Sequence, residues 1–175
     1  MTKEKEDRFR RVVEEKKDMI YRLCCCYVRW ENERSDVYQE ILVNIWKSLD
    51  TFEGRSQLGT WVYRVAVNTC LAYVRSEVKR KRVWSDPLEH EHEAVSTAAG
   101  PAEEMERKDT SSQLYACINE LSVLDRTLIS LFLEDMSTKE MAEILGISEA
   151  NVRVKLHRVK RNLKVNWARR LHGTE

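Results

Sequence analysis

The chain has 175 residues, of which 34% are charged, with five Gly, two Pro and a formal net charge of +1. Few helix breakers and no β-type alternation predict an all-α protein, either one medium domain or two small ones. No apolar run is long enough to cross a bilayer, and the charged opening MTKEKEDRFRRVVEEKK has no signal-peptide core. Membrane insertion is therefore not expected, and a cytoplasmic protein is.

The small net charge hides an uneven distribution. Residues 1–84 carry 18 basic and 13 acidic groups, residues 85–109 two and eight, and residues 110–175 ten and eight. Two basic ends around an acidic middle suggest two nucleic-acid-facing units and a tether. The five cysteines, three of them adjacent at Cys24–Cys26, follow neither a disulfide nor a zinc spacing and read as reduced, packed thiols.

In chain order, residues 4–30 place Phe9, Val12, Val13, Met19, Ile20, Leu23 and Tyr27 at helical spacing. ENERSD reads as a break, with Ser35 or Asp36 capping a second helix whose core residues are Val37, Ile41, Ile45 and Leu49. Asp36, Gln39 and Glu40 lie off that stripe. Asp36 and Glu40 fit helix-dipole stabilisation, and the three together fit a docking surface. The loop FEGRSQLGTW joins flexible glycines to apolar Phe52 and Leu58, an unusual choice for a solvent loop. Thr60 is a candidate cap for a third helix with Trp61, Val65, Thr69 and Ala72 as its core stripe. A second line on that helix, Arg64, Asn68, Leu71 and Arg75, is mixed polar and basic. The helix ends in Lys79-Arg80-Lys81-Arg82, a cluster suited to the negative helix terminus or to phosphate. Interleaved Trp61, Tyr63, Tyr73 and Trp84 suit stacking on unpaired bases or burial.

Residues 85–109 contain both prolines and no sustained apolar period, the pattern of a linker. His90 and His92 lack a second ligand cluster, so neither a metal nor a cofactor is expected. Helical period returns at Thr110, with Leu114, Cys117, Ile118 and Leu121 on one seam. Ser122 then caps a helix holding Leu124, Leu128, Leu131 and Phe132. In STKEMAEILGISEANVRVKLHRVKRNL, Ser137 and Glu140 form a capping box, Gly146 supplies the turn and Ser148 caps a final helix. Val152, Leu156, Val159 and Leu163 are its buried seam. Arg153 to Arg170 hold eight basic and no acidic residues. This is helix-turn-helix design, with the second helix suited to a DNA major groove.

Two stretches together point to a family. DVYQE at 36–40, the FEG–S–L–TW loop at 52–61 and YRVAVN at 63–68 resemble region two of bacterial RNA polymerase sigma factors, especially the extracytoplasmic-function (ECF) group. The Ser137–Leu163 stretch resembles region four of the same group. The resemblance implies two helical units, 1–84 and 110–175, joined by the acidic linker 85–109. It implies that Asp36, Gln39 and Glu40 dock on the polymerase β′ clamp, and that the β flap is a further contact. Phe52, Trp61 and Asn68 would surround a base flipped from the −10 element, with Arg64, Arg75 and Lys79 on phosphates. Asn151, Arg153, Lys155, His157 and Arg158 are the candidates for −35 contacts. An anti-sigma partner is implied as well. Val154, where the family often has a small hydroxyl residue, His157 and Gly59 depart from the pattern, so the −35 preference is this chain's own.

No phosphate loop, paired catalytic carboxylates or nucleophile-base constellation is present, so no enzymatic activity is expected. The competing reading is a stand-alone helix-turn-helix regulator, which would have no use for the FEGRSQLGTW loop. A third is an adaptor that only binds polymerase or an inhibitor.

Overall fold

The computed structural model describes residues 3–54, 56–83 and 102–172, and every regular element among them is helical. Helices α1 (Lys3–Tyr27), α2 (Glu31–Ser48) and α3 (Leu58–Val83) form a first bundle, with a 3-10 turn at Leu49–Thr51 closing α2. Helices α4 (Ala102–Asn119), α5 (Val123–Leu133), α6 (Thr138–Leu145) and α7 (Glu149–His172) form a second unit. No helix among the described residues is long and apolar enough to cross a membrane.

The expected stripe of α1 is buried at Val12, Met19, Ile20 and Leu23, where it meets Val37, Ile41 and Ile45 of α2 and Val62, Ala66 and Cys70 of α3. Each such Ile or Leu contributes about 1.5–3 kcal/mol by leaving water. Towards its C-terminus α1 is buried on several sides, from Leu23 through Val28. The bundle covers one side and the second unit covers the other. Cys24, Cys25 and Cys26 thus all lie inside despite pointing in different directions, and the five cysteines are free and buried. Burial pushes the Cys26 thiol up to about 12, so it stays protonated.

Hydrogen bonds join the two units. The Tyr63 hydroxyl donates to Ser130 Oγ at 2.8 Å, and the Tyr27 and Thr127 hydroxyls are hydrogen-bonded to each other at 2.5 Å. Arg22 forks onto both oxygens of Glu134, at 2.6 and 2.7 Å. The Asn119 amide donates at 3.0 Å to the carbonyl of Cys25, in the last turn of α1, where carbonyls lack helical partners.

Several sequence expectations need correction. ENERSD is not a break, because α2 starts at Glu31. Glu31 and Glu33 favour the positive helix end, and Arg34 Nε reaches back 3.1 Å to the Val28 carbonyl, closing the corner without a Ser35 or Asp36 cap. Helix α3 starts at Leu58, before Thr60, whose hydroxyl donates to Glu140 of α6 at 3.3 Å instead of capping. Its core stripe is Val62, Tyr63, Ala66, Val67 and Cys70; of the expected stripe Thr69 is buried, Trp61 and Val65 are half-buried and Ala72 is exposed. The shift arises because α3 is covered from two sides, by α1 and α2 and by the second unit.

Leu124 and Phe132 of α5 are also more exposed than expected. Leu124 borders the cleft towards α3, and Phe132 lies under the Lys160 ammonium, 3.4 Å from its ring centroid. Helix α4 begins at Ala102, inside the span expected to be linker, where AEEMERKD supplies good helix formers. The rest of that span, with His90 and His92, lies outside the described residues, as does Trp84.

Tyr63→Phe removes one buried hydrogen bond between the units and should lower unfolding free energy by about 1 kcal/mol. Tyr63→Ala should cost about 3–5 kcal/mol by adding a cavity. Urea unfolding of the two variants checks both the order and the sizes.

Candidate nucleic-acid interface

Three exposed surfaces carry the sequence-predicted residues. On α2, Asp36, Gln39 and Glu40 are all exposed, and their spacing of three and four puts them on one face. Val43, one turn on and 46% exposed, extends that face with an apolar side chain the sequence reading did not single out. Its signal was its place seven residues after Asp36. Asn44 turns the other way and donates to Thr69 Oγ1 at 3.0 Å, which locks α2 to α3.

The second surface surrounds the turn between α2 and α3. The Phe52 amide bonds to the Leu49 carbonyl at 3.3 Å, ending the 3-10 turn, and Gly54 takes the left-handed backbone (φ +73°) that reverses the chain. These turns bring Phe52 and Trp61 together, both half-buried, with centroids 5.3 Å apart and planes tilted by 54°. The Arg8 guanidinium of α1 lies 5.2 Å from the Phe52 ring, a cation–π contact that no local sequence signal announces. Lys5 of α1 pairs with Asp50 at the foot of the turn. Two turns of α1 therefore brace the aromatic pair.

Down α3, Arg64, Asn68, Arg75 and Lys79 are all exposed and run as one strip. The Asn68 amide has no hydrogen-bond partner among the described residues. The strip's upper half borders a cleft of about 370 Å³ whose far wall is Val123, Leu124 and Thr127 of α5 with Ile144 and Leu145 of α6. Other aromatics expected near this surface are committed elsewhere. Tyr63 is fully buried, and the Tyr73 hydroxyl is bound to Glu33.

The third surface is α7. The Ser137 hydroxyl accepts from Glu140 N at 3.3 Å while Glu140 accepts from Ser137 N at 2.9 Å, completing the expected capping box of α6. Gly146 is left-handed at φ +66°, and Ser148 Oγ accepts from Asn151 N at 3.3 Å to start α7. With Val152, Leu156 and Val159 buried against α5 and α6, the opposite face is set by helical periodicity. Asn151, Arg153, His157 and Arg158 are exposed, but Lys155 is half-buried on the core side. Arg153 pairs with Glu149 at 3.1 Å, and Arg158 leans towards Asp125 of α5 at 3.8 Å. Arg161 and Val154, absent from the sequence-derived set, are exposed on the face directly opposite the core.

Comparisons with known proteins agree with this arrangement. Residues 12–80 match the family described as Sigma-70 region 2, and residues 111–163 match Sigma-70, region 4. The chain is 26% identical over 165 residues to the ECF RNA polymerase sigma factor SigW of Bacillus subtilis, covering 91% of this chain and 88% of that protein. It is 29% identical over 131 residues to the ECF RNA polymerase sigma-E factor of Escherichia coli, covering 71% and 69%. The fold is shared with solved structures, among them these two. CnrH in complex with the cytosolic domain of CnrY has 19% identity and a TM-score of 0.64, with 97% of this chain and 91% of that one covered. The sigma factor RpoE in complex with the anti-sigma factor NepR, from Bartonella quintana, has 18% identity and a TM-score of 0.71, with 90% and 95% covered.

Ser137→Ala should cost about 1 kcal/mol by removing the α6 cap. Hydrogen bonds from Ser137 hold the Glu140 carboxyl below its ordinary range. Their contribution is full above the ordinary glutamate range and is lost as pH falls through the depressed folded value. The stability gap between wild type and Ser137→Ala should therefore narrow on acidification, as read by urea midpoints across an acid titration.

Proposed function

The chain belongs to the ECF group of the sigma-70 family, whose members give RNA polymerase its promoter specificity, and we propose the following division of labour among its surfaces. Residues 1–84 dock on the core enzyme and open the −10 element, residues 85–109 connect, and residues 110–175 read the −35 element. Asp36, Gln39 and Glu40, extended by Val43, form the face that meets the polymerase β′ clamp, and the second unit meets the β flap. The chemistry of RNA synthesis stays with the polymerase, and the chain works in the cytoplasm where that enzyme is.

The observation that carries this reading is the site after α2. Phe52, just after α2, and Trp61, in the first turn of α3, present aromatic surface together, and further along α3 stands the Asn68 amide, which has no hydrogen-bond partner among the described residues. An aromatic face and a free donor-acceptor pair are what an unstacked base requires. Arg64, Arg75 and Lys79 line the path a single strand would take, as phosphate contacts. A stand-alone duplex binder has no use for such a site.

Packing of the two units adds a constraint. A chain of this size folded as one body has a radius of gyration of about 16 Å. Elements nominally 25 base pairs apart are about 85 Å apart at 3.4 Å per pair. Engaging both requires the Tyr63–Ser130, Tyr27–Thr127 and Arg22–Glu134 contacts to part. The cleft between α3 and α5–α6, largely apolar, supports an inhibitory protein partner that keeps the units together.

The test is transcription from a promoter library with purified core polymerase. Specific initiation should appear only when this chain is added, and tight duplex binding without initiation would sink the proposal. Within that assay Asp36→Ala with Gln39→Ala should weaken core binding. Phe52→Ala and Asn68→Ala should leave core binding intact and cut open-complex formation about ten-fold or more, read by permanganate reactivity of unpaired thymines.

A further inference from the structure

Val154 is 70% exposed, the most exposed large hydrophobic side chain among the described residues; the next, Tyr21, is 49%. A lone exposed valine is ordinary, but this one has a particular place. Two residues on from fully buried Val152, it lies about 200° round α7 from the core. Asn151, His157, Arg158 and Arg161 surround it at spacings of three, four and seven, so it is an apolar centre in a polar and basic face. It is also the sixth residue of α7, within the N-terminal turns that a helix-turn-helix presents to base edges.

Helix stability does not account for it. A β-branched residue on an exposed helical surface is a poorer helix former than Ala, Lys or Arg. Nor does contact with the rest of the chain account for it, since most of the side chain faces solvent. What a short, stiff, forked hydrocarbon can do at the pole of a reading helix is meet another hydrocarbon. In the major groove of unmodified DNA only one base-edge group qualifies, the 5-methyl of thymine. Cytosine offers an amino donor on its edge, and burying that group against Val154 would leave it without a partner.

We infer that Val154 is a specificity-determining residue of the upstream reading helix and selects a thymine through its 5-methyl group. The inference rests on the reading of α7 as the −35 helix. It explains why a hydroxyl-bearing residue, which can satisfy either a donor or an acceptor, is not needed here: the neighbours Asn151, His157 and Arg158 supply the polar contacts, and Val154 supplies the one that only a methyl can answer.

The test removes the methyl from the DNA. The upstream element is selected with holoenzyme made from the full chain and core polymerase. Its thymines are then replaced singly by deoxyuridine, which keeps every hydrogen-bonding group. Wild-type holoenzyme should lose about four-fold in affinity at one position, the weight of one buried methyl-sized group. Val154→Ala should bind the thymine and deoxyuridine duplexes within about 1.5-fold of each other at that position, and 5-methylcytosine should be preferred to cytosine there by wild type only. Because residue 154 is exposed, the substitution leaves the fold in place. An element without thymine, or a uridine penalty that Val154→Ala retains, overturns the inference. Arg153→Ala and Asn151→Ala separate the two levels: if they weaken upstream binding while every uridine is tolerated, only the Val154 inference fails. If they too change nothing, the reading of α7 fails with it.

Discussion

Burial of helix α1 is the constraint on which the rest of the structure depends. Its apolar stripe is the wall against which α2 and α3 pack, and its last turns are buried by α4 and α5 as well. A helix that must satisfy partners on two sides cannot keep a polar face near its C-terminus, which is why three consecutive cysteines are accommodated there. Small, weakly polar side chains can be buried in any direction without leaving strong donors unpaired. The same helix, at its other end, reaches the turn between α2 and α3 through Lys5 and Arg8.

Function follows from how that scaffold distributes exposed groups. The rigid partners of α2, chiefly Asn44 bonded to Thr69, orient the Asp36–Glu40 face outward. On α3, burial of Val62, Ala66 and Cys70 leaves Arg64, Asn68 and Arg75 on the opposite side as a continuous strip. In the second unit the capping box and Gly146 fix the angle at which α7 leaves α6, and the seam of Val152, Leu156 and Val159 fixes its rotation. Each exposed surface is thus the remainder of a packing solution, and its residues can be exchanged without disturbing the core.

The contacts between the units are of a different kind. Hydroxyl-to-hydroxyl bonds, the Asn119–Cys25 and Thr60–Glu140 hydrogen bonds and one forked ion pair join them, around buried Tyr27 and Tyr63. Net energies of such bonds are about 1 kcal/mol each, because water competes for the same groups when they part. Packing within α1–α3 is by contrast built from fully buried Ile, Leu and Val side chains.

Much of this was written locally in the chain. The helical class, the capping box at Ser137, the left-handed Gly146, the seam of α7 and the exposed Asp36, Gln39 and Glu40 all depend on spacing and caps within one or two turns, so they were legible from the sequence. What the sequence left undetermined depends on partners distant along the chain. The α3 stripe moved from Trp61 and Val65 to Val62 and Ala66 because a second unit covers that helix, and periodicity alone cannot count neighbours. Lys155 turned inward, Val154 and Arg161 outward, once packing on α5 and α6 fixed the rotation of α7. Tyr63 was withdrawn from the expected aromatic surface by Ser130, 67 residues away. Arg8 joined that surface across 44 positions of sequence, for contact is decided by the fold and not by proximity in the chain.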